Sequence, residues 1–171
     1  MTKKAKLIID GKEIEVEITQ EQLDKLCPQK KKTGYERVEF GEYYWRINDD
    51  GFPSISITEG EGHHDTALYD NANYYSDYAV AKNNARADRL MRQLRRFAVE
   101  HRKKELVWND DSQTKRYICY HHTTKDFNIY LTYSAQDFGK LYFDTKETAQ
   151  LAIDTFKDEL LWYFTEYQDS L

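Results

Sequence analysis

From Lys6 to Ile18 apolar and polar residues alternate on either side of Asp10-Gly11. That is the period-two pattern of two strands, joined by a dipeptide that readily takes the positive φ angles of a tight hairpin turn. Thr19-Gln20-Glu21-Gln22 follows as a capping box, a hydroxyl and an amide side chain spaced to satisfy the free amides at a helix start. A short helix is predicted to end near Cys27, stopped by Pro28, before the polar run 29–34. Further on, 43–47 and 52–58 read as strands joined by Asn48-Asp49-Asp50-Gly51, and 59–72 as an acidic loop. Ser76 is the expected cap of a long helix reaching about Glu105, with Ala87, Leu90, Met91, Leu94, Phe97 and Ala98 on one stripe.

The same order then returns. Residues 116–121 and 127–133 read as strands, followed by a loop through Gly139 and a helix capped by Asp144, with Glu147 completing a capping box. Ala149, Ala152, Ile153, Phe156, Leu160 and Phe164 form its stripe. Trp162 falls off the stripe and offers either a second contact surface or packing against the first half. Asn73-Tyr74-Tyr75-Ser76 and Leu141-Tyr142-Phe143-Asp144 open the two helices 68 residues apart, with Ala81 and Ala149 at the same offset. Two small hairpins, each covered by one helix, bury both helix faces only by pairing. The predicted fold is therefore α+β, two repeated β-hairpin-plus-helix units (35–105 and 106–171) packed as one domain about a pseudo-two-fold. An N-terminal hairpin and short helix (1–27) and a linker (28–34) precede them.

Composition sharpens this in three places. Apolar content of 40% over 171 residues suits a globule rather than a disordered chain. Fourteen tyrosines supply rings for small cores and tips for interfaces. Two cysteines, a charged start and no apolar run of about 20 residues predict an intracellular protein with no disulfide framework and no membrane partner. The net charge of −5 hides segregation: nine bases against two acids over 82–104, and nine acids against one base over 39–77. Such blocks either neutralise one another or face partners.

The tyrosine-rich strand, Asp-Gly turn, acidic loop, Asn73-Tyr74-Tyr75 and the helix ending Leu94-Arg95-Arg96-Phe97-Ala98 resemble a group of small uncharacterised proteins of bacteriophages and mobile elements of Gram-positive bacteria. The opening Leu7-Ile8-Ile9-Asp10-Gly11-Lys12 and the closing segment from Tyr142 to Ala149 fit the group too, and Ala72 stands where it usually carries Gly. The resemblance covers most of the chain. It implies a phage protein that modulates host machinery, anti-CRISPR-like inhibition included, and transfers no chemistry.

The residues themselves carry no catalytic signature: no nucleophile with a local family pattern, no glycine-rich phosphate loop, and no catalytic residue to name. His63-His64-Asp65 and His121-His122 have metal-ligand chemistry, yet neighbours on a strand point to opposite faces, so each pair offers one ligand. No metal and no cofactor is assigned. Cys119 reads as a small buried hydrophobe and Cys27 as a helix-end residue. On the basic helix, Arg89, Arg92 and Arg96, with Lys103 beyond, project away from Leu90 and Leu94, as phosphate contacts would. In the acidic segment Glu59, Glu61 and Asp65, with the anchors Tyr74 and Tyr75, form the candidate surface for a host protein. The expected function is non-enzymatic binding in the host cytoplasm, inhibiting a nucleic-acid-directed defence enzyme such as a CRISPR nuclease or its nucleic-acid complex. One alternative is a nucleic-acid-binding accessory protein using the arginine row. The other is a metal-dependent enzyme using the paired histidines.

Overall fold

The computed structural model describes residues 2–9, 11–26 and 32–167. The chain is α+β, built, among the described residues, from helices and three two-stranded antiparallel sheets. Strands β1 (Thr2–Ile9) and β2 (Lys12–Thr19) pair with Ile9 opposite Lys12, and Gly11 takes φ +77° as the alternation requires. Helix α1 (Gln20–Leu26) starts on the expected box: the Gln22 amide donates to Thr19 Oγ1 at 3.2 Å and the Thr19 amide to Gln22 Oε1 at 2.9 Å. Its predicted stop at Cys27-Pro28 and residues 29–31 of the linker lie outside the described residues.

The end of the linker is docked. Gly34 accepts from the Ser76 amide at 2.8 Å, and its φ of +88° lets the backbone press on Val80, whose Cγ2 lies 2.6 Å from where a Cβ would stand. Glu36 collects the amides of Thr33 and Gly34 and the Ser76 hydroxyl; the Thr33 amide above all holds its carboxyl down at about 2.

Next come β3 (Tyr43–Tyr44) and β4 (Ile57–Thr58), shorter than predicted, with bridges Ile47–Pro53 and Trp45–Tyr75 continuing the pairing irregularly. The expected acidic loop contains helix α2 (His63–Asp70). Its few apolar residues make a weak stripe. What starts it is Asp65, whose Oδ2 accepts from the amides of Gly60 and Gly62, both at 3.1 Å.

Helix α3 (Tyr78–Glu100) carries the predicted stripe, with Leu90, Leu94, Phe97 and Ala98 buried. Asp77, not Ser76, caps it, its carboxylate accepting from Ala79 and Val80 at 2.7 and 3.1 Å, because Ser76 is engaged by Glu36 and Gly34. It stops at Glu100, short of Glu105: Asp144 takes the amides of Lys103 and Lys104 at 2.6 and 2.9 Å and pulls the chain off the helical path. With Asp144 so engaged, Thr145 rather than Asp144 caps α4 (Lys146–Trp162), which ends in a π-helical turn over Tyr163–Tyr167.

Strands β5 (Lys115–His121) and β6 (Asp126–Thr132) form a regular hairpin, Tyr117 facing Tyr130, close to the predicted spans. Ile118, Phe127 and Ile129 pack from it onto a core of Leu90, Leu94, Phe97, Phe143, Ile153 and Leu160. Trp162 is buried at the junction of the halves: the Arg86 guanidinium lies 3.9 Å from its ring and makes two bonds to Glu159 at 2.8 and 3.0 Å. The two halves share particular positions. Trp45 pairs with Tyr75 two residues before the Asp77 cap, and Arg116 pairs with Phe143 two residues before the Thr145 cap. Ala81 and Ala149 are both fully buried. The hairpins differ, two-residue strands against seven.

Candidate functional site

A helix with a buried apolar stripe presents whatever its remaining positions carry, and on α3 those between Arg86 and Arg96 are mostly basic. Three or four residues advance a helix by about one turn, so Arg89, Arg92 and Arg96 rise along one side. With Gln93 and Asp50 they line an open groove of about 340 Å³. Asp50 arrives from the Asn48-to-Gly51 turn, closed by Gly51 donating to Asn48 and Asn48 to Phe52, both at 2.8 Å. Gly51 sits at φ +80° with Arg92 Nη2 2.7 Å from where a Cβ would be, so turn and helix touch. Arg89 is half-buried, 5.0 Å from the Phe52 ring centroid.

No carboxylate from 59–77 reaches these guanidinium groups. Arg96 has a helical neighbour, Glu100, at a loose 3.8 Å between two exposed side chains; among the described residues Arg92 and Arg95 form no ion pair. Asp50 Oδ1 already accepts from the Phe52 amide at 3.0 Å. The groove is therefore cationic, solvated and held in shape by a turn on one wall and a helix on the other. Arg95 on the same helix and Lys104 beyond its end are exposed as well.

The acidic candidates behave otherwise. Glu59 is 1% exposed and accepts two bonds from Arg37 at 3.1 and 3.2 Å, one from the Tyr74 hydroxyl at 2.7 Å and one from the Glu61 amide at 2.7 Å. Arg37 first, then Tyr74 and the amide, hold its carboxyl below the usual range against the opposing effect of burial. Asp65 is buried too, lowered chiefly by the Tyr44 hydroxyl at 2.6 Å and further by the Gly62 and Gly60 amides. Tyr44 and Tyr74 stack at 3.9 Å between the two carboxylates, and burial pushes both phenols far up. Tyr75 is buried, its phenol pushed up to about 12 by burial. Four of the five expected protein contacts are thus interior, and only Glu61 stands exposed. Buried charge is tolerated only when paired, and here the pairing consumes the carboxylates. Arg37, on which the cluster turns, has no local signal, since it lies 22 residues from Glu59.

Among the described residues no three His, Cys, Asp or Glu side chains gather to hold a metal ion. His63 and His64 are exposed at the start of α2, and His121 bonds the Tyr130 hydroxyl at 2.6 Å. Cys119 is half-buried rather than buried, its thiol pushed up by burial and so a poor nucleophile. It borders a largely apolar cavity of about 450 Å³ beside Leu94, Ile118, Phe143 and Leu160. Among the described residues no helix is long and apolar enough to cross a membrane. Comparison with protein-family models, with curated proteins and with solved structures finds no match.

Proposed function

We propose that this protein acts by binding, and that its binding face is the arginine groove of α3, engaged by the phosphates of a nucleic acid. The observation that carries this reading is that Arg89, Arg92 and Arg96 form no ion pair with the acidic segment, whose buried carboxylates Glu59 and Asp65 are held by Arg37, Tyr44 and Tyr74 instead, although Asp50 lines the same groove. Guanidinium groups offer paired donors matched to phosphate oxygens. The chain's net charge of −5 opposes approach from afar, but charges beyond about 8 Å are screened at physiological salt, so the local face decides.

The test is fluorescence anisotropy of labelled RNA and DNA against the full chain over a salt series. Three neutralised phosphates give a slope of log affinity on log salt of about −2.7 for duplex and about −2.1 for a single strand. Charge reversal at all three positions (R89E, R92E and R96E) is expected to abolish binding, and unchanged affinity in that variant would refute the assignment.

A second reading, inhibition of a host nucleic-acid-directed defence enzyme by a phage protein, is favoured by another feature. Phe40 and Tyr43 stand exposed with Glu42 where the chain pairs with 58–59, and Glu61 follows directly. Exposed aromatics beside carboxylates suit docking on a basic protein surface. Capture of a nuclease that depends on Phe40 and Tyr43 but not on Arg92 distinguishes this reading from the first.

A further inference from the structure

The arginine groove has an aromatic neighbour. We propose that the groove takes single-stranded rather than duplex nucleic acid, Phe52 stacking on a base while Arg92 and Arg96 hold the adjoining phosphates. The inference rests on the phosphate-binding reading above and narrows its ligand.

Phe52 is 53% exposed at the end of the turn that forms one wall of the groove. A single exposed ring is ordinary on a protein surface. This one is fixed. Its amide donates to Asp50 Oδ1 at 3.0 Å, its carbonyl accepts from Asn48 at 2.8 Å, and Arg89 stands 5.0 Å from its ring centroid. Gly51, next in the turn, is pressed against Arg92. The turn therefore presents the aromatic residue at a set backbone position beside cationic groups.

That combination is what an unpaired strand requires. In a duplex the base faces are stacked on one another, so Phe52 would meet only backbone or a groove edge. In a single strand each base has a free face, and aromatic stacking beside a phosphate-tracking basic groove binds it with little sequence preference. Arg89, already against the ring, can contribute a cation–π contact to the same stack. Asp50 disfavours phosphate on its own side of the groove, and Gln93 brings an amide able to donate to and accept from a base edge.

The experiment measures anisotropy of single-stranded RNA, single-stranded DNA and the corresponding duplexes of about 16 nucleotides, the upper site size for such grooves. It uses the full wild-type chain and the variants Phe52→Ala, Phe52→Tyr and Arg92→Glu. Single strands of one or both sugars are expected to bind more tightly than duplex. Phe52→Ala is expected to weaken them by roughly 5- to 150-fold, the effect of one stacked base, while Phe52→Tyr retains binding and Arg92→Glu loses it. Equal binding of single strand and duplex, lost in Arg92→Glu but unmoved by Phe52→Ala, overturns this inference and leaves phosphate binding standing. Equal losses in Phe52→Ala and Phe52→Tyr overturn it too, because the ring is then not acting by stacking. No affinity for any nucleic acid overturns both readings.

Discussion

Glu59 shows how a side chain's partner, not its charge, decides its role. With four acceptor contacts in an almost closed site, its carboxylate is part of the interior. Glu59→Gln keeps the shape but turns an amide group toward donors, and is expected to cost about 1–3 kcal/mol in urea unfolding at neutral pH. The pH dependence has a defined sign. Glu59 and Asp65 titrate below their ordinary values in the folded chain, so their contribution is complete above the ordinary carboxylate range, near pH 4. It is lost as pH falls below that range through the lowered folded values, where the unfolded chain binds more protons. Unfolding curves at falling pH are expected to show wild type losing stability, and Glu59→Gln losing less. Ala72 lies at φ +54°, a left-handed position where an L side chain costs about 1 kcal/mol or more. Ala72→Gly is expected to raise stability by a fraction of that, since glycine also gains freedom in the unfolded chain; a lower melting temperature would contradict it. Neither the burial of Glu59 nor that of Asp65 was legible in the sequence, because the Arg37 guanidinium that pairs with the first and the Tyr44 hydroxyl that donates to the second lie 22 and 21 positions away.

At the scale of elements, periodicity located what packing enforces. The stripes of α3 and α4 and the β5–β6 hairpin follow from spacing because a large shared core rewards that spacing. Helix α2 escaped because its start depends on Asp65 reaching back to two glycine amides rather than on an apolar face. Both long helices start one residue later than local cap chemistry indicates, for a common reason: Ser76 and Asp144 each tie a distant backbone segment to the helix start, leaving Asp77 and Thr145 to cap. Asp77→Ala and Thr145→Ala are each expected to cost about 1 kcal/mol. Each then lowers the melting temperature by about 2–4 °C. Ser76→Ala, which leaves the cap in place, is expected to act through the Glu36 cluster rather than on helix content. Circular dichroism at partial denaturation separates the two effects.

Across the whole molecule, α3 is the member both halves share. At 23 residues it is about 34 Å long. Along it, Val80 meets Gly34 at the end of the linker, and Asn84 bonds the Tyr35 hydroxyl at 2.7 Å and Arg89 stands by Phe52, contacts with the first half. Leu90, Leu94, Phe97 and Ala98 belong to the core with α4 and the second hairpin, and Arg86 bonds Glu159. A helix so divided cannot lose its packing on one side without weakening the other, so the halves are expected to unfold together. Leu94→Ala removes a buried side chain from the second half's core and is expected to cost about 3 kcal/mol. The informative readout is hydrogen exchange at two matched bridges, the amides of Trp45 and Tyr75 in the first half and those of Arg116 and Phe143 in the second. If α3 couples the halves, protection at both bridges falls by the same factor, roughly 100-fold for that loss. A fall confined to Arg116 and Phe143 would mean that the halves open independently. The turn carrying Phe52 and the arginines of α3, all in the first half, would then keep their placement while α4 and the second hairpin open, and strand binding would survive Leu94→Ala.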